Sequence, residues 1–409
     1  MVLALIFLGI FVTAGSAYLN SITASTRSAR YNVATTQALA LAEAGIDEAI
    51  SQLNQNASYT GESNVSLGAG VYSVAVSDVN TNTKRLIATG TVPTLANPLV
   101  VKTITALANI NTSIVSFRYG AQVGAGGLAM NNNAQVTGNL YANGSVTGSG
   151  IITGDATAAG ASTISGVTVQ GTARAHTLSN CHVNVDAYYQ TISNCPVTGT
   201  KYPGSADMPT ASMPISDAQI AAWETIATAG GVTAGPYTVS GTPTIGPQKI
   251  NGNLTINGTL KLGGVVWVKG NILFGNNSGL TVSATTGNEG AILIADVPGS
   301  ESTLGTASLS NNMTVSGNGS SGSYPMVLST NSGNNAISLS NNAQSVILYA
   351  SRGTIQVSNN ASANQITGYG LSLSNNAFVT YVSGLQSQSF YNGPGGSWTI
   401  VPRTYSISK

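Results

Sequence analysis

The sequence predicts a mainly β protein with a long N-terminal α-helix, a small antiparallel sheet and then a parallel β-helix, or solenoid. Three observations support this fold class. The first 54 residues contain no proline and carry apolar residues at helical spacing. Residues 68–110 change to alternating β-branched segments between turns. From about residue 115, short apolar runs end in Gly or Asn, and similar phrases recur 16 to 18 residues apart, which is typical of solenoid coils.

The composition excludes several classes of protein. Only 7% of the 409 residues are charged, against roughly 25% in an average soluble domain. Extracellular β proteins rich in Ser, Thr, Asn and Gly tolerate so neutral a surface, whereas intracellular proteins seldom do. The basic residues are scattered and the net charge is +1, so no nucleic-acid partner is indicated. No cofactor is predicted, and zinc would need about four ligands where the chain has two Cys and two His.

The N-terminal segment is apolar up to its first charge, Arg27. About 22 apolar or small residues precede it, enough at about 1.5 Å per residue to cross a bilayer of roughly 30 Å. Beyond Arg30, Leu39, Ile46 and Leu53 share one helical face, so the second half of the helix is predicted to pack on a small domain. The predicted domains are 1–54 for the helix, 55–114 for the small antiparallel sheet, and 115–409 for the β-helix with an insertion at about 196–235.

The phrase "ALALAEAGIDEAISQL" at residues 38–53 follows the apolar half of the helix. It resembles the type IV pilin superfamily, in particular the PilX-like pilins, through its Ala-Glu-Ala-Gly motif. The resemblance implies removal of a basic leader by a prepilin peptidase, passage through the inner membrane and a type IV pilus assembly machinery. It also implies that apolar helices bundle into the core of an extracellular filament on the cell surface. The sequence departs from the family at Leu5, where Glu is usual, and at Ile22, where major pilins often have Pro.

Self-association into a helical filament is therefore the first partner prediction. The predicted filament-core residues are Met1, Leu3, Leu5, Ile6, Phe7, Leu8, Ile10 and Phe11. Four charges are predicted to guide assembly: Arg27, Arg30, Glu43 and Asp47. Staggered helices in a fibre would bring the basic and acidic groups together, where partial shielding from water strengthens their attraction. The alternative is that these charges lie on solvated turns of an exposed helix.

A repeated phrase of one apolar residue, Ser and two Asn is predicted to mark the corners of successive coils. Asn tolerates left-handed backbone angles, and its amide can bond to the Asn stacked above it. The predicted corner ladder comprises Asn311, Asn312, Asn341, Asn342, Asn359, Asn360, Asn375 and Asn376. The alternative is a ligand-binding array. Calcium would need several carboxylates and residues 303–409 contain none, whereas binding of a surface glycan or cell ligand stays open.

Two further features lie in the β-helix region. Cys181 and Cys195 each end an "SNC" tripeptide, which in a secreted chain predicts one disulfide; a thiol nucleophile assisted by His176 or His182 is an alternative. The insertion combines a Pro-rich loop with a helix that Ser216 caps, and it is expected to cover an edge of the β-helix. The aromatic residues expected to cap the end of the rod are Tyr381, Phe390, Tyr391 and Trp398.

The predicted function is that of a structural subunit of a type IV pilus-like filament, with β-helix domains displayed outside for adhesion. No enzyme activity is predicted, because no two acids of the β-helix occupy evident in-register positions. The closest grouping is Glu289, Asp296 and Glu301. A membrane-anchored β-helix adhesin and a glycan-cleaving β-helix enzyme are the alternatives.

Overall fold

The computed structural model describes residues 2–55, 59–80, 83–111, 114–390, 397–401 and 403–408. The chain forms two compact units. The first comprises Met1–Ile110 with Trp398–Lys409, and the second comprises Asn111–Ser397. The predicted fold class is confirmed: one long N-terminal helix, a small antiparallel sheet and a parallel β-solenoid of about 14 turns. The division differs from the predicted boundaries at the C terminus, because the last residues return to the first unit.

The first unit is a helix packed on an antiparallel sheet. Its helix, α1, spans Val2–Gln55. The four strands that follow are β1, Gly61–Leu67; β2, Gly70–Asn80; β3, Thr83–Pro93; and β4, Pro98–Asn111. Two C-terminal strands, Ser397–Ile400 and Ser406–Ser408, extend the sheet beside β4. A fragment that ended at residue 114 would therefore lack part of this sheet.

Small residues bring α1 close to the sheet. Ala38 and Ala42 are fully buried, and a Cβ at Gly90 of β3 would lie 2.1 Å from the Ala38 carbonyl oxygen. A Cβ at Gly45 would lie 3.1 Å from the Ala88 side chain. The Ala-Glu-Ala-Gly motif therefore has a structural role in this chain, because larger residues at these positions would push the helix away from β3.

The second unit consists of three columns of parallel strands, with one strand of each column in most turns. The first column contains Val232–Ala234, Gln248–Asn251, Val266–Val268, Ala291–Ala295, Pro325–Ser329, residues 347–350, 365–368 and 121–123, Leu140–Ala142, Ala156–Ala158, residues 173–175 and 187–189, and Lys201–Pro203.

The second column contains Tyr237–Val239, Leu254–Ile256, Ile272–Phe274, Ala307–Leu309, Ile337–Leu339, residues 354–357, 370–373 and 127–130, Val146–Gly148, Thr163–Ser165, and residues 177–179 and 191–193. The third contains Thr244–Ile245, Thr259–Leu262, Gly279–Val282, Thr314–Ser316, residues 344–345 and 362–363, Phe378–Thr380, Gln135–Thr137, Ile151–Ile152, Thr168–Val169 and His182–Val183. Longer strands that pass a corner are Ala121–Met130, Ala173–Ser179, Ala187–Ser193, Gln344–Val357 and Ser362–Leu373.

The chain enters this solenoid in its middle. It begins at Ala121–Met130 and winds outward to one end at Lys201–Pro203. It then restarts at the opposite end, at Val232–Ala234, and winds back towards the middle. There Ser362–Leu373 pairs in parallel with Ala121–Met130, with Ile366 opposite Ala121 and Leu373 opposite Met130. We call this junction the seam, because it joins two halves of the solenoid that are far apart in sequence.

Residues 204–231, here called the return segment, carry the chain from one end of the solenoid to the other. The Gln122 Nε2 donates to the Ser212 carbonyl at 2.7 Å, and the Tyr349 hydroxyl donates to the Ile215 carbonyl at 2.6 Å. Gln122 and Tyr349 lie on opposite sides of the seam. The insertion therefore crosses the outer face of the first column and bridges both halves, whereas the sequence predicted that it covers an edge.

The return segment ends in helix α2, Asp217–Ala229. Ser216 caps its N terminus in a capping box with Gln219, and Gly230 ends it. Trp223 is fully buried. All five residues of the strand Ala291–Ala295 are buried, because the solenoid core covers one face of this column and the return segment covers the other.

The repeated Asn pairs form the corners between the second and third columns. Asn359 and Asn360 both have left-handed backbones, with φ of 55° and 61°. The Asn359 amide donates to the Asn341 side chain at 3.0 Å and accepts from Asn375 at 3.0 Å. All eight ladder residues have positive φ; those beyond this chain of three are Asn311, Asn312, Asn342, Asn360 and Asn376. The ladder continues across the seam, where Asn132 donates to Asn375 at 2.8 Å.

The C-terminal aromatic residues do not cap an end of the solenoid. Tyr381 bonds to the Phe117 carbonyl near the seam, and Phe390 packs edge-on against Trp223. Trp398 is buried in the core of the first unit. Tyr391 lies outside the described residues. The prediction of an aromatic cap fails because the chain leaves the solenoid beside the point where it enters.

Replacing Asn359 separates the backbone and amide contributions of a corner. Both Asn359→Ala and Asn359→Gly remove the ladder amide, but only Ala is disfavoured in the left-handed region. After allowance for the greater unfolded freedom of Gly, we expect Asn359→Ala to lower the unfolding free energy by about 1 kcal/mol more than Asn359→Gly. Urea denaturation measures the difference. Asn335→Ala is the control, because Asn335 is exposed without positive φ; equal losses in the two Asn359 variants would contradict the backbone explanation.

Candidate functional site

The first half of α1 is the largest exposed apolar feature of the first unit. Every described side chain from Phe11 to Val33 is exposed. The large apolar side chains of this part that lie farthest from the sheet are Leu8, Phe11, Val12, Tyr18, Leu19 and Ile22. At about 100° per residue these six fall within an arc of about 120° on the helix. Such a stripe, without a partner in its own unit, is typical of a helix that packs against other helices.

Three hydroxyl groups on this half of α1 donate to carbonyl oxygens of the helix itself. The Ser16 hydroxyl donates to the Thr13 carbonyl at 2.9 Å, and the Thr23 hydroxyl donates to the Leu19 carbonyl at 2.7 Å. Ser25 makes the same kind of bond to Ile22. Hydroxyl groups paired in this way can be removed from water without leaving an unsatisfied donor. The helix surface at these three positions is therefore compatible with burial.

The structure describes the side chains of only two of the eight predicted filament-core residues. Leu8 and Phe11 are 62% and 73% exposed. Met1 lies outside the described residues, and the side chains of Leu3, Leu5, Ile6, Phe7 and Ile10 do too, although α1 includes their backbone. Over the part of the chain that the structure describes, no helix combines the length and apolar character needed to cross a membrane.

The four predicted assembly charges all lie on the exposed surface of α1. Arg27 and Arg30 make no ion pair within the described residues. Glu43 accepts a hydrogen bond from the Tyr405 hydroxyl at 3.1 Å. Burial, this bond and the negative charges of Glu43 and Asp47 raise the pKa of Tyr405 to about 12. Glu43 and Asp47 therefore lie beside the C-terminal segment. Arg27 and Arg30 lie on the exposed part of α1 that precedes Ala34.

A disulfide joins Cys181 and Cys195. Each cysteine occupies the position that a buried Ala holds in the Asn-pair corners, after an Asn with positive φ. The Asn194 amide donates to Asn180 at 2.8 Å, so this corner has a short ladder of its own. The bond links two successive turns at the end of the solenoid near Lys201–Pro203. Beyond the turn of Cys195, the first column continues only with Lys201–Pro203.

A pair of buried carboxyl groups, Glu224 of α2 and Asp296, escaped the sequence analysis. They are 9% and 7% exposed, and their carboxyl groups hydrogen-bond to each other. Burial, with the hydrogen bond and charge of Asp296, raises the pKa of Glu224 to about 9. The sequence contained a signal, since Glu224 lies at helical spacing among the buried residues of α2, which are Ile220, Trp223 and Ala227.

The expected grouping of Glu289, Asp296 and Glu301 is not a cluster around one point. Glu301 lies 3.6 Å from the Arg352 guanidinium, and Asp296 turns towards Glu224. Glycosidase carboxyl pairs stand about 5 to 9.5 Å apart to admit a sugar. A directly bonded and buried pair leaves no such space. Among the described residues, no group of three or more His, Cys, Asp or Glu side chains is placed to hold a metal ion.

Comparisons with known proteins show a remote likeness to a solved structure. No protein-family model and no curated protein sequence matches the chain. Among solved structures, the competence-associated pilin ComZ from Thermus thermophilus is similar at 10% sequence identity and a TM-score of 0.27. The alignment covers 92% of this chain and 98% of that chain. Similarity at this level establishes neither a family nor an activity for this chain.

Removing the disulfide tests its role at the end of the solenoid. Cys181→Ala with Cys195→Ala reproduces the Ala of the other corners, so the packing change is small. The loop of about 14 residues predicts a local loss of about 2–4 kcal/mol. Hydrogen exchange should increase over residues 173–203 and stay unchanged over residues 344–373. Unchanged protection at both sites would contradict a stabilising role, and reduction of the wild-type bond provides an independent comparison.

Proposed function

We propose that this chain is a structural, PilX-like pilin subunit that self-associates into an extracellular filament through the exposed half of α1. The observation that carries the proposal is the exposed apolar stripe with internally satisfied hydroxyl groups. Burial of each large apolar side chain would contribute about 1.5–3 kcal/mol, so six per subunit provide a strong driving force. Processing by a prepilin peptidase and handling by a pilus assembly machinery belong to the same proposal and rest on the sequence resemblance.

The charges on α1 favour an open filament over a closed dimer. Arg27 and Glu43 are separated by about 160° around the helix and by about 24 Å along it. An arginine of one copy can meet the acidic pair of the next, while its own acidic pair stays free for a further copy. Such a heterologous contact repeats without closing. The charge pattern therefore supports a stagger of about 25 Å between neighbouring helices.

Adhesion by the solenoid is a second candidate function that one observation favours. A groove of about 440 Å³ lies on the outer face near the seam. Its lining includes Gly126, Gly127, Ser145, Thr147, Gly370 and Ser372, and it contains no charged residue. Tyr369, 44% exposed, stands against Gly126. An uncharged hydroxyl-lined groove beside an aromatic ring suits a neutral glycan.

A non-enzymatic role is part of the proposal. The buried, directly bonded carboxyl pair does not offer the separated acid and base that glycan cleavage needs. A glycan-cleaving β-helix would lose turnover when one acid is replaced. Absence of turnover with neutral and anionic glycans supports the structural role, and any activity abolished by Asp296→Asn would overturn it.

Charge reversal tests the filament proposal. Arg27→Glu with Arg30→Glu should prevent assembly, because two acidic surfaces would then face each other. Adding Glu43→Lys and Asp47→Lys to the same chain should restore filaments, since the pairs are rebuilt with opposite polarity. Electron microscopy of the assembled protein gives the result.

Arg85→Glu is the matched control, because Arg85 is an exposed arginine on β3 of the same unit. Its filaments should be normal. Normal filaments from the Arg27 and Arg30 double variant would contradict the charge-guided stagger. A wild-type chain that stays as single molecules under all conditions would overturn the filament role itself.

A further inference from the structure

The return segment is held on the solenoid by hydrogen bonds, such as those from Gln122 and Tyr349, and by the apolar face of α2, which also buries one acid. Glu224 stands among Ile220, Trp223 and Ala227 on the face of α2 that packs against the first column. Its Oε1 atom has no hydrogen-bond partner. Burial of an ionised carboxylate without partners is costly, so the neutral form is strongly favoured at this position.

Asp296 is fixed opposite Glu224 by its own contacts. The Thr330 hydroxyl donates to the Asp296 carboxylate, and the Trp267 indole donates to the Asp296 carbonyl at 3.0 Å. Two ionised carboxylates cannot donate to each other, so the contact between Glu224 and Asp296 requires one shared proton. The contact therefore exists only while the pair keeps that proton.

Few other charges surround the pair. Lys249, on the strand Gln248–Asn251, acts on Glu224 in the opposite sense to Asp296, and its Nζ lies 3.8 Å over the Trp267 ring. At the start of α2, Asp217 pairs with Arg352 at 2.8 Å, and Arg352 also faces Glu301. These latter groups are substantially exposed, so solvent weakens their effect.

We propose that the Glu224 and Asp296 carboxyl groups form a proton-dependent latch that holds α2, and with it the return segment, on the solenoid. Loss of the shared proton leaves two negative charges buried side by side. Ionisation then favours a state in which α2 has moved off the first column and Glu224 is in water. The latch is closed in acid and opens as the pH rises.

The direction in which pH changes the docking of α2 follows from proton linkage. The undocked helix has an ordinary Glu, so between about pH 4.5 and 9 the docked state binds one more proton than the open state. Docking is thus most favourable below about 4.5 and is weakened progressively up to about 9. Across that interval the equilibrium constant for opening α2 should rise by about tenfold per pH unit.

Hydrogen exchange of the full chain measures this opening. Rates for residues 217–229, divided by the intrinsic exchange rate at each pH, should rise by about tenfold per unit between pH 6 and 9. Glu224→Gln keeps a neutral hydrogen-bonding group and should abolish the rise. Asp217→Asn is the matched control on the same helix: it should shift all rates by a similar factor and retain the slope.

If the exchange rates of residues 217–229, divided by the intrinsic rates, do not change with pH in the wild-type protein, the latch is overturned. A pH dependence that persists in Glu224→Gln would overturn it as well. If Glu224→Gln does not fold, Asp296→Asn provides the second variant. It removes the facing charge and leaves the burial, so the rise should end at a lower pH than in the wild-type chain. An unchanged profile in Asp296→Asn would also count against the latch.

Discussion

The seam between Ser362–Leu373 and Ala121–Met130 is the contact on which the second unit depends. Every other junction in the solenoid joins turns that are near neighbours in sequence, so chain connectivity holds them together. The seam joins two strands that are remote in sequence, and parallel pairing with the packing of Leu371 and Leu128 holds it. The return segment adds a second connection by bonding to Gln122 and Tyr349, on either side of it. Closing so long a loop costs conformational entropy, and these contacts must offset that cost.

Neutral side chains follow from the same stacking. Equivalent residues of successive turns stand at the strand spacing of about 4.8 Å, so a repeated charge would repel its copies along the whole column. Asn satisfies two needs at a corner, because its backbone adopts the left-handed region and its amide bonds to the next Asn. The low charge content is therefore a condition of the fold.

The sequence predicted the features that depend on local chemistry. The Asn corners, the capping of α2 by Ser216 and the change of period after α1 are each set by a few adjacent residues. The seam could not be predicted, because all turns share one pattern and periodicity does not say which turn meets which. The fully apolar sequence of the strand Ala291–Ala295 did indicate that both faces of this strand are buried. The burial of Glu224 could have been predicted only from the occurrence of one acidic residue within the apolar face of α2.

The pairing of the C-terminal residues with β4 could not be predicted from the sequence either. Ser406–Ser408 has no apolar alternation, and only β4 gives it a place in the sheet. The candidate assembly surface was predicted in outline, since helical spacing identifies apolar residues along α1. Its internally satisfied hydroxyl groups required the helix geometry, because each bond joins a side chain to a carbonyl three or four residues earlier.

The position of the seam also determines how the solenoid can carry load. The segments that enter and leave it lie side by side, where Ile114–Val115 pairs antiparallel with Gln388–Ser389. Any tension transmitted along the chain from the first unit reaches the solenoid at this single place. The two ends, including the turns joined by Cys181 and Cys195, lie outside that path. A force applied to the solenoid through its two chain connections therefore acts first on this short strand pair, and the stacked turns lie outside its path.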